Sequence, residues 1–524
     1  MIALAAVVLG VFFRFYHIER KPLWDDEVIT WTHVLGVSEQ EVVSAAPGFR
    51  HVSDLREVLH PAAVSRPISA VTGVLMAEDP QHPPLYYIIA HEWTRLFGTS
   101  LRALRLLSAL FGVLAIPCAY WLCLELFESS AGALLGAALV ALAPVAVLYC
   151  QEAREYSMWL VCVLVTSALF IRAFRSASLR AWSAYCITLA ASLYVFPLTM
   201  LVALAQATVS LGAHTSRRNR LQALAAIAIA LVLFAPWVVV IMSHLSGINA
   251  SMNGIVGSRP FQLESLRGVI RLLRTDDIDF NGGHRALAQL AGTACVLILV
   301  YAIYAVRRVE AQASRLFIWA LSAWSTLPLV GMDFFLGGHR VEMFRYFLPA
   351  FLAFDLAMVA LLWPKLIAAA RPRRWGAWHA VFVLVVALRF ASCLQAALAP
   401  TWWLSYQMQP QVVAAQINSL PRPLIVSDGY ILWPLVLSEY LNPADEVALH
   451  PSCYLCRLGN TSPTIGLVPS RSMSSHTVVL VAPSKPLLTA VSAAMKATGM
   501  SASLKCVDVR NSCPGGYPLW VPGS

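Results

Sequence analysis

Residues 21–27 read KPLWDDE, so Asp25, Asp26 and Glu27 follow directly after an apolar N-terminal segment. Acidic side chains are scarce in so apolar a chain, and they are costly near lipid. Three consecutive carboxylates at the end of an apolar segment therefore indicate a functional position. We call these three residues the acidic cluster, and the rest of the chain is interpreted outward from them.

The composition is that of a membrane protein. Of the 524 residues, 58% are hydrophobic and only 13% are charged, whereas a soluble protein carries roughly a quarter charged residues. The formal net charge of +10 then reflects membrane topology, because the basic residues lie in short loops between apolar segments. We expect contacts with membrane lipids and no nucleic-acid partner, since no nucleic-acid-binding motif is present.

About eleven transmembrane spans are predicted, because a spanning helix needs about 20 apolar residues. The first is predicted to be retained, since no basic segment precedes it and no small-residue cleavage site follows it. Pro197 is expected to separate two consecutive spans by breaking the helix. The predicted spans cover residues 1–17, 102–125, 131–149, 156–175, 181–195, 197–213, 221–244, 286–306, 315–335, 346–364 and 376–397.

Alternate loops are short and basic, and such loops face the cytoplasm. Residues 18–101 and the tail after residue 398 are then outside, so the acidic cluster is predicted to be extracytoplasmic. The composition favours a bacterial inner (plasma) membrane. The basic loop residues are Arg172, Arg175, Arg180, Arg217, Arg218, Arg220, Arg307, Arg308, Arg315, Lys365, Arg371, Arg373 and Arg374.

The first outer loop, residues 18–101, contains a second notable segment. Residues 83–98 begin with two prolines and end with glycine, which is typical of a helix start and a helix end. The polar and apolar alternation predicts an amphipathic helix at the membrane surface. Tyr86, Tyr87 and Trp93 are expected to be interfacial anchors.

Three further outer features carry polar side chains. Residues 151–156 include Glu152 and Arg154 at a span boundary. Cationic residues precede a late span on the side where positive charge is disfavoured, which indicates an anion ligand; this segment contains His339, Arg340, Arg345 and Tyr346. Another outer loop carries Asp276, Asp277 and Asp279, which we interpret as exposed loop charge and not as metal ligands.

After residue 398 strand-like and helical segments alternate. Residues 423–426 and 477–481 are predicted strands, and residues 431–441 and 485–500 are predicted helices. We therefore divide the chain into a membrane module, residues 1–398, and an extracytoplasmic α/β domain, residues 399–524. Two disulfides are expected in this domain in preference to a redox or zinc site. The cysteines concerned are Cys453, Cys456, Cys506 and Cys513.

These features match the needs of glycosyl transfer from a lipid-phosphate sugar. A carboxylate removes the proton of an acceptor hydroxyl. Cations stabilise the lipid-phosphate leaving group, and arginine binds phosphate in a bidentate manner. No nucleotide is required.

Four motifs resemble GT-C membrane glycosyltransferases, in the subgroup related to protein O-mannosyltransferases and the lipid A aminoarabinose transferase. They cover about the first 360 residues, in the order expected for that subgroup. The motifs are residues 23–27 (LWDDE), 82–108 (HPPLYY, then LFG and RALRLLS), 151–157 (QEAREYS) and 345–349 (RYFLP).

The resemblance implies a GT-C fold and inverting transfer from a polyprenyl-phosphate-linked sugar to a glycan, lipid or protein acceptor. Asp26 matches the family's catalytic acid, with Asp25 and Glu27 beside it as further candidates for the base. Glu152 would help shape the site and Arg345 would contact the lipid phosphate. We expect no metal and no cofactor, since a donor with a single phosphate requires none.

Each candidate residue also has a purely structural interpretation. The acidic cluster is compatible with a solvated loop or with the first turn of a helix. His82 is compatible with a local hydrogen bond, and Glu152 with an ion pair to Arg154. Arg340 and Arg345 are compatible with phospholipid head groups or with a pair to Glu342.

Two other function classes remain open at this stage. A transporter or flippase of lipid-linked sugars would favour charges within spans and repeated halves, and neither pattern is evident. A non-catalytic protein that binds polyprenyl phosphate would not need the acidic cluster.

Overall fold

The computed structural model describes residues 1–245, 263–275, 285–369, 376–399, 409–455, 476–497, 504–507 and 519–522. Several residues considered above lie outside this part of the chain. They are Asp276, Asp277, Asp279, Arg371, Arg373, Arg374, Cys456 and Cys513.

The described residues are mostly helical. Twenty-one α-helices are numbered here in chain order. They are α1 (Ile2–Phe15), α2 (Asp25–Val34), α3 (Glu39–Ala45), α4 (Val52–Leu59), α5 (Ile68–Glu78), α6 (Leu85–Phe97), α7 (Leu101–Phe127), α8 (Ser130–Leu142), α9 (Pro144–Tyr149), α10 (Tyr156–Ser176), α11 (Leu179–Val195), α12 (Thr199–Gly212), α13 (Arg217–Ser243), α14 (Leu263–Thr275), α15 (Arg285–Ala305), α16 (Gln312–Leu336), α17 (Leu348–Ala369), α18 (Ala377–Leu398), α19 (Pro410–Asn418), α20 (Leu432–Ser438) and α21 (Lys485–Ala497).

Ten of the predicted spans each overlap one α-helix and the span over 131–149 overlaps two, so the prediction of a polytopic helical membrane protein is confirmed. Among the described residues, seven helices are long and apolar enough to cross a membrane, and the count of about eleven spans stays a prediction. The break at Pro197 is confirmed, because α11 ends at Val195 and α12 begins at Thr199. The span predicted over 131–149 is two helices, since Pro144 starts α9 directly after α8.

The described residues form two compact units. The first consists of residues 1–18, 81–86 and 105–399, and contains the membrane helices. The second consists of residues 19–80, 87–104 and 400–524. One boundary between the units lies at 399/400, and most of the first outer loop belongs to the second unit. The division into domains at 398/399 stays a prediction.

In the first unit α1 packs closely on α8. A Cβ atom on Gly10 would lie 2.3 Å from the backbone oxygen of Ala141, so only glycine permits this approach, as is common between membrane helices. Arg14 on the same helix is fully buried. Its guanidinium donates to the carbonyl oxygens of Gly10 (2.8 Å), Gly112 (2.9 Å), Val140 (3.2 Å) and Ala141 (2.6 Å). The charge is thereby solvated by backbone dipoles in place of water.

The second unit contains the predicted α/β domain, and its existence is confirmed. Its sheet has the order β2-β1-β3-β5-β4, with β1 parallel to β2 and β3, and β5 antiparallel to β3 and β4. The predicted strands are β1 and β3, whereas β2, β4 and β5 were not predicted. The strands are β1 (Pro423–Ser427), β2 (Glu446–Leu449), β3 (Thr477–Val481), β4 (Leu504–Val507) and β5 (Leu519–Pro522).

The first outer loop is far more ordered than its sequence suggested. Helices α2 to α5 precede the one helix that was predicted. Residues of this loop also pair with the edge strand β2: the Val447 amide donates to the Arg50 oxygen (2.9 Å), and the Val52 amide donates to the Asp445 oxygen (3.0 Å). Cys453 is disulfide-bonded, as expected of the C-terminal cysteines.

The predicted surface helix exists as α6, but the role expected of two tyrosines on it is wrong. Tyr86 and Tyr87 have no exposed surface, so neither is an interfacial anchor. The Tyr86 hydroxyl lies 3.3 Å from the Ser108 hydroxyl. The Trp93 indole donates to the Ala103 carbonyl (2.7 Å). These aromatic side chains fix α6 within the protein.

The contact at Gly10 yields a stability prediction. We expect Gly10→Ala to lower the melting temperature of the purified protein, because overpacking of this kind costs roughly 1–3 kcal/mol. The matched control is Gly331→Ala in α16, where a Cβ atom meets nothing within 4 Å; alanine there should be neutral or stabilising by up to about 1 kcal/mol. Equal melting temperatures for the two variants would contradict the close packing of α1 on α8.

Candidate active site

The acidic cluster forms the first turn of α2. Trp24 is the extended N-cap residue, and the Glu27 amide donates to its carbonyl oxygen (3.0 Å). Carboxylates are favourable at this position because the helix dipole is positive there. Gly36, with φ of +70°, ends the helix as left-handed glycines commonly do. The interpretation of the acidic cluster as the first turn of a helix is therefore confirmed.

The three acids differ in exposure. Glu27 has no exposed surface, whereas Asp25 and Asp26 are half-buried. Burial, followed by the neighbouring charge of Asp26, raises the pKa of Asp25 to about 7. Two adjacent carboxylates with one proton held near neutral pH are a common arrangement for acid–base chemistry. Of the three acids, Asp25 and Asp26 have exposed side-chain surface that a substrate can contact, and Glu27 has none.

A network of polar side chains extends from the far end of α2. The His33 ring nitrogens lie 3.8 Å from the carboxylates of Glu78 and Asp79. The Glu78 carboxylate accepts from the Glu39 amide (2.8 Å). The Glu39 carboxylate in turn accepts from the amides of Tyr454 (2.8 Å) and Leu455 (2.7 Å). Burial raises the pKa of Glu39 to about 7.

In the first unit, a second polar cluster forms where α9 turns into α10. Glu155 has no exposed surface, and its carboxylate lies 3.5 Å from Arg154 Nε and 3.5 Å from His82 Nε2. Arg154 Nη2 lies 3.1 Å from His82 Nε2 and donates to the Tyr156 hydroxyl (3.3 Å). The two predicted residues His82 and Arg154 are therefore held together by an acid that was not predicted.

Aromatic rings surround the predicted phosphate ligand Arg345, which is 8% exposed. Its guanidinium carbon lies 5.9 Å from the ring centre of Tyr156 and 5.5 Å from that of Tyr346. Phe196 packs on both tyrosine rings, at 5.8 Å and 6.1 Å. Cation–π contact holds an arginine in a defined orientation, and the planar guanidinium group suits an anion such as phosphate.

The structure also gives partners for the remaining candidates. Arg340 Nη1 donates to Asp333 Oδ1 (2.9 Å), so the expected alternative partner, Glu342, is wrong. Arg154 forms an ion pair with Glu155, and Glu152, 1% exposed, lies in the same turn. His339 is exposed. The structure therefore brings His82, Arg154, Arg345 and Tyr346 into one aromatic and cationic cluster, while Arg340 stabilises the end of α16.

Sequence reasoning missed several members of these clusters. Glu155 lies within the recognised QEAREYS motif, but the sequence alone does not distinguish it from Glu152, the other acid of that motif. Phe196 directly precedes the proline that breaks the helix, and this break is the signal that could have identified it. His33 and Glu39 had no local signal, because their partners are distant in sequence. Among the described residues no group of three or more His, Cys, Asp or Glu side chains is arranged to hold a metal ion.

One family model and several solved structures are similar to this chain. Residues 81–240 match the family model for dolichyl-phosphate-mannose-protein mannosyltransferase. No curated protein sequence matches the chain. ArnT from Cupriavidus metallidurans bound to undecaprenyl phosphate is similar in structure, with a TM-score of 0.51 and 15% identity over 99% of this chain and 97% of ArnT. Its apo state gives a TM-score of 0.51 and 14% identity over the same shares.

The oligosaccharyltransferase of Archaeoglobus fulgidus gives a TM-score of 0.47 and 13% identity over 92% of this chain and 68% of that protein.

The chain has the fold of ArnT, which is the GT-C fold. The resemblance to GT-C glycosyltransferases related to ArnT and the O-mannosyltransferases is thus confirmed, and it supports a membrane glycosyltransferase.

The raised pKa of Asp25 predicts a pH-dependent stability. Its usual pKa is about 4, so between about pH 4 and pH 7 the folded protein retains a proton that the unfolded chain releases. Stability contributed by the neutral form is present below this window and is lost as the pH rises through it.

Asp25→Asn cannot ionise, and we expect its melting temperature to fall less between pH 5 and pH 8 than that of the wild type. The control is Glu57→Gln, which changes an exposed acid of α4. Its melting temperature should fall between pH 5 and pH 8 by as much as that of the wild type. An Asp25→Asn variant that falls as much as the wild type would contradict the assignment.

Proposed function

We propose that this protein is an integral membrane glycosyltransferase that transfers a sugar from a polyprenyl-phosphate donor to an extracytoplasmic acceptor, with inversion. The observation that carries the proposal is the partly exposed Asp25–Asp26 pair, placed on the first turn of α2 in a chain with the GT-C fold. The membrane is the bacterial inner membrane, and the short basic loops are on its cytoplasmic side.

The donor class is supported by the cluster around Arg345. A buried arginine held by Tyr156 and Tyr346 is suited to bind a phosphate at the head of a membrane span. The similar ArnT structure holds undecaprenyl phosphate, which is consistent with a lipid-linked donor here. His82, Arg154 and Glu155 add a rigid, hydrogen-bonded wall to this cluster.

The reaction assigns one role to each group. The Asp26 carboxylate takes the proton from the acceptor hydroxyl, whose oxygen forms a bond to the anomeric carbon. The bond between that carbon and the phosphate oxygen breaks, and polyprenyl phosphate leaves with the electron pair. Arg345 stabilises the charge that develops on the phosphate. Asp25, which carries a proton below about pH 7, and Glu27 position Asp26, while His339, Tyr346 and Glu152 contribute to substrate binding.

The role of Asp26 is tested by isotope transfer. We expect purified wild-type protein in lipid to move radiolabel from undecaprenyl- or decaprenyl-phosphate sugars to an acceptor in a membrane extract. Asp26→Asn should lower this rate by about 10²–10⁴-fold, which is the range of general-base catalysis, without changing the melting temperature. Glu57→Gln, the exposed acid used above, should keep the wild-type rate.

Full activity of Asp26→Asn would contradict its assignment as the base. Label that remains on the carrier and crosses the bilayer with either protein would instead show a transporter.

The role of Arg345 is tested by donor binding. Arg345→Ala should weaken the binding of undecaprenyl phosphate by about tenfold or more, because a charge-assisted hydrogen bond contributes about 1.5–3 kcal/mol. Arg180→Ala removes an exposed arginine of the first unit and should bind like the wild type. Binding is measured by native mass spectrometry in mild detergent. Wild-type binding by both variants would contradict the role of Arg345.

A further inference from the structure

Two tyrosines of the second unit lie at the same edge of the C-terminal sheet. Tyr430 follows β1 and Tyr454 follows β2, and these strands are parallel. Both side chains are therefore at the carboxyl ends of parallel strands, where open α/β sheets commonly bind ligands. The two loops are joined by hydrogen bonds from the Ser452 amide to the Gly429 oxygen (3.0 Å) and from the Ile431 amide to the Ser452 oxygen (3.2 Å).

The two rings form a defined surface. Their centres are 5.4 Å apart and their planes are inclined by 78°. Tyr430 is 40% exposed and Tyr454 is 42% exposed, which is unusual for large aromatic side chains held in a rigid loop. The backbone of Tyr454 is fixed by the Glu39 carboxylate, which is 4% exposed. The surface is thus ordered without being covered by the described residues.

This aromatic surface is connected to α2, the helix that carries the acidic cluster. The Tyr454 amide donates to the Glu39 carboxylate (2.8 Å), and the Glu39 amide donates to the Glu78 carboxylate (2.8 Å). Glu78 in turn lies 3.8 Å from the His33 ring of α2. Partial burial, then the charges of Asp26 and Asp25, raise the pKa of Tyr454 to about 12, in agreement with this connection.

We propose that Tyr430 and Tyr454 bind the sugar ring of a carbohydrate acceptor. This inference rests on the proposed function and names its acceptor class. The C–H faces of a pyranose ring pack on aromatic rings, while its hydroxyl groups bond to the phenols. An acceptor held on this surface presents a hydroxyl group near Asp26.

A peptide acceptor fits the same region less well. Extended peptides commonly bind by adding a strand to an exposed sheet edge. The edge strand β2 is already paired with residues 50–52 through Val447 and Asp445. Because the neighbouring strand β2 is already paired, the two inclined tyrosine rings suit a compact sugar ring in preference to an extended peptide.

Saturation-transfer difference NMR on the protein in nanodiscs tests the proposal directly. The probes are methyl glycosides of glucose, mannose and glucosamine, with a serine- and threonine-containing hexapeptide for comparison. We expect saturation transfer to the ring C–H protons of at least one glycoside in the wild type. Tyr454→Ala and Tyr430→Ala should each weaken that binding by about tenfold, while Tyr454→Phe should retain most of it because the ring face is kept.

Controls separate this inference from the proposed function. Phe97→Ala removes another exposed aromatic ring of the second unit and should bind glycosides like the wild type. Asp26→Asn should bind glycosides normally even though it does not transfer sugar. In the transfer assay Tyr454→Ala should require about tenfold more acceptor extract, with an unchanged requirement for the donor.

The inference is overturned if no glycoside binds, if only the peptide binds, or if Tyr454→Ala binds glycosides like the wild type. It is also overturned if Tyr454→Ala changes the donor requirement alone. Tyrosine-dependent glycoside binding in a protein that transfers no sugar would leave the binding surface standing and reject the proposed function.

Discussion

Every charge buried in so apolar a protein needs a partner, and this requirement determines much of the architecture of the first unit. Arg14 is surrounded by four backbone carbonyl oxygens, and Arg389 lies 2.7 Å from Asp355. Removing one partner of such a pair typically costs 3–5 kcal/mol. The same rule operates at the turn before α10, where Glu155 is held by Arg154 and His82. Helices α1, α8, α9 and α10 are consequently fixed by polar contacts as well as by small-residue packing.

The acidic cluster follows a different rule. Asp25 and Asp26 are adjacent like charges at a helix start, where the dipole makes carboxylates favourable, and burial raises the pKa of one of them to about 7. A group that exchanges its proton near neutral pH is suited to reaction chemistry, whereas the buried Arg154–Glu155–His82 cluster is suited to hold its neighbours in place. This contrast is consistent with the proposed acid–base role of the Asp25–Asp26 pair and with the proposed phosphate binding at Arg345.

The sequence predicted the membrane helices well, because long apolar segments and Pro197 act locally. It also located the acidic cluster, the QEAREYS turn and Arg345. It predicted only one of the five helices of the first outer loop, since short helices such as α3 and α4 depend on contacts with distant segments: the Val52 amide at the start of α4 bonds to the Asp445 oxygen. For the same reason the alternative partner of Arg340 was wrongly expected, because Asp333 is distinguished from neighbouring acids only by packing.

The position of a bound undecaprenyl phosphate tests the assignment of the lipid-phosphate site most directly. A cryo-electron microscopy structure of the protein in nanodiscs containing this lipid would show the phosphate. We expect hydrogen bonds from the Arg345 guanidinium to the phosphate oxygens, with Tyr156 and Tyr346 still against the arginine. A phosphate bound elsewhere, without contact to Arg345, would contradict the assignment.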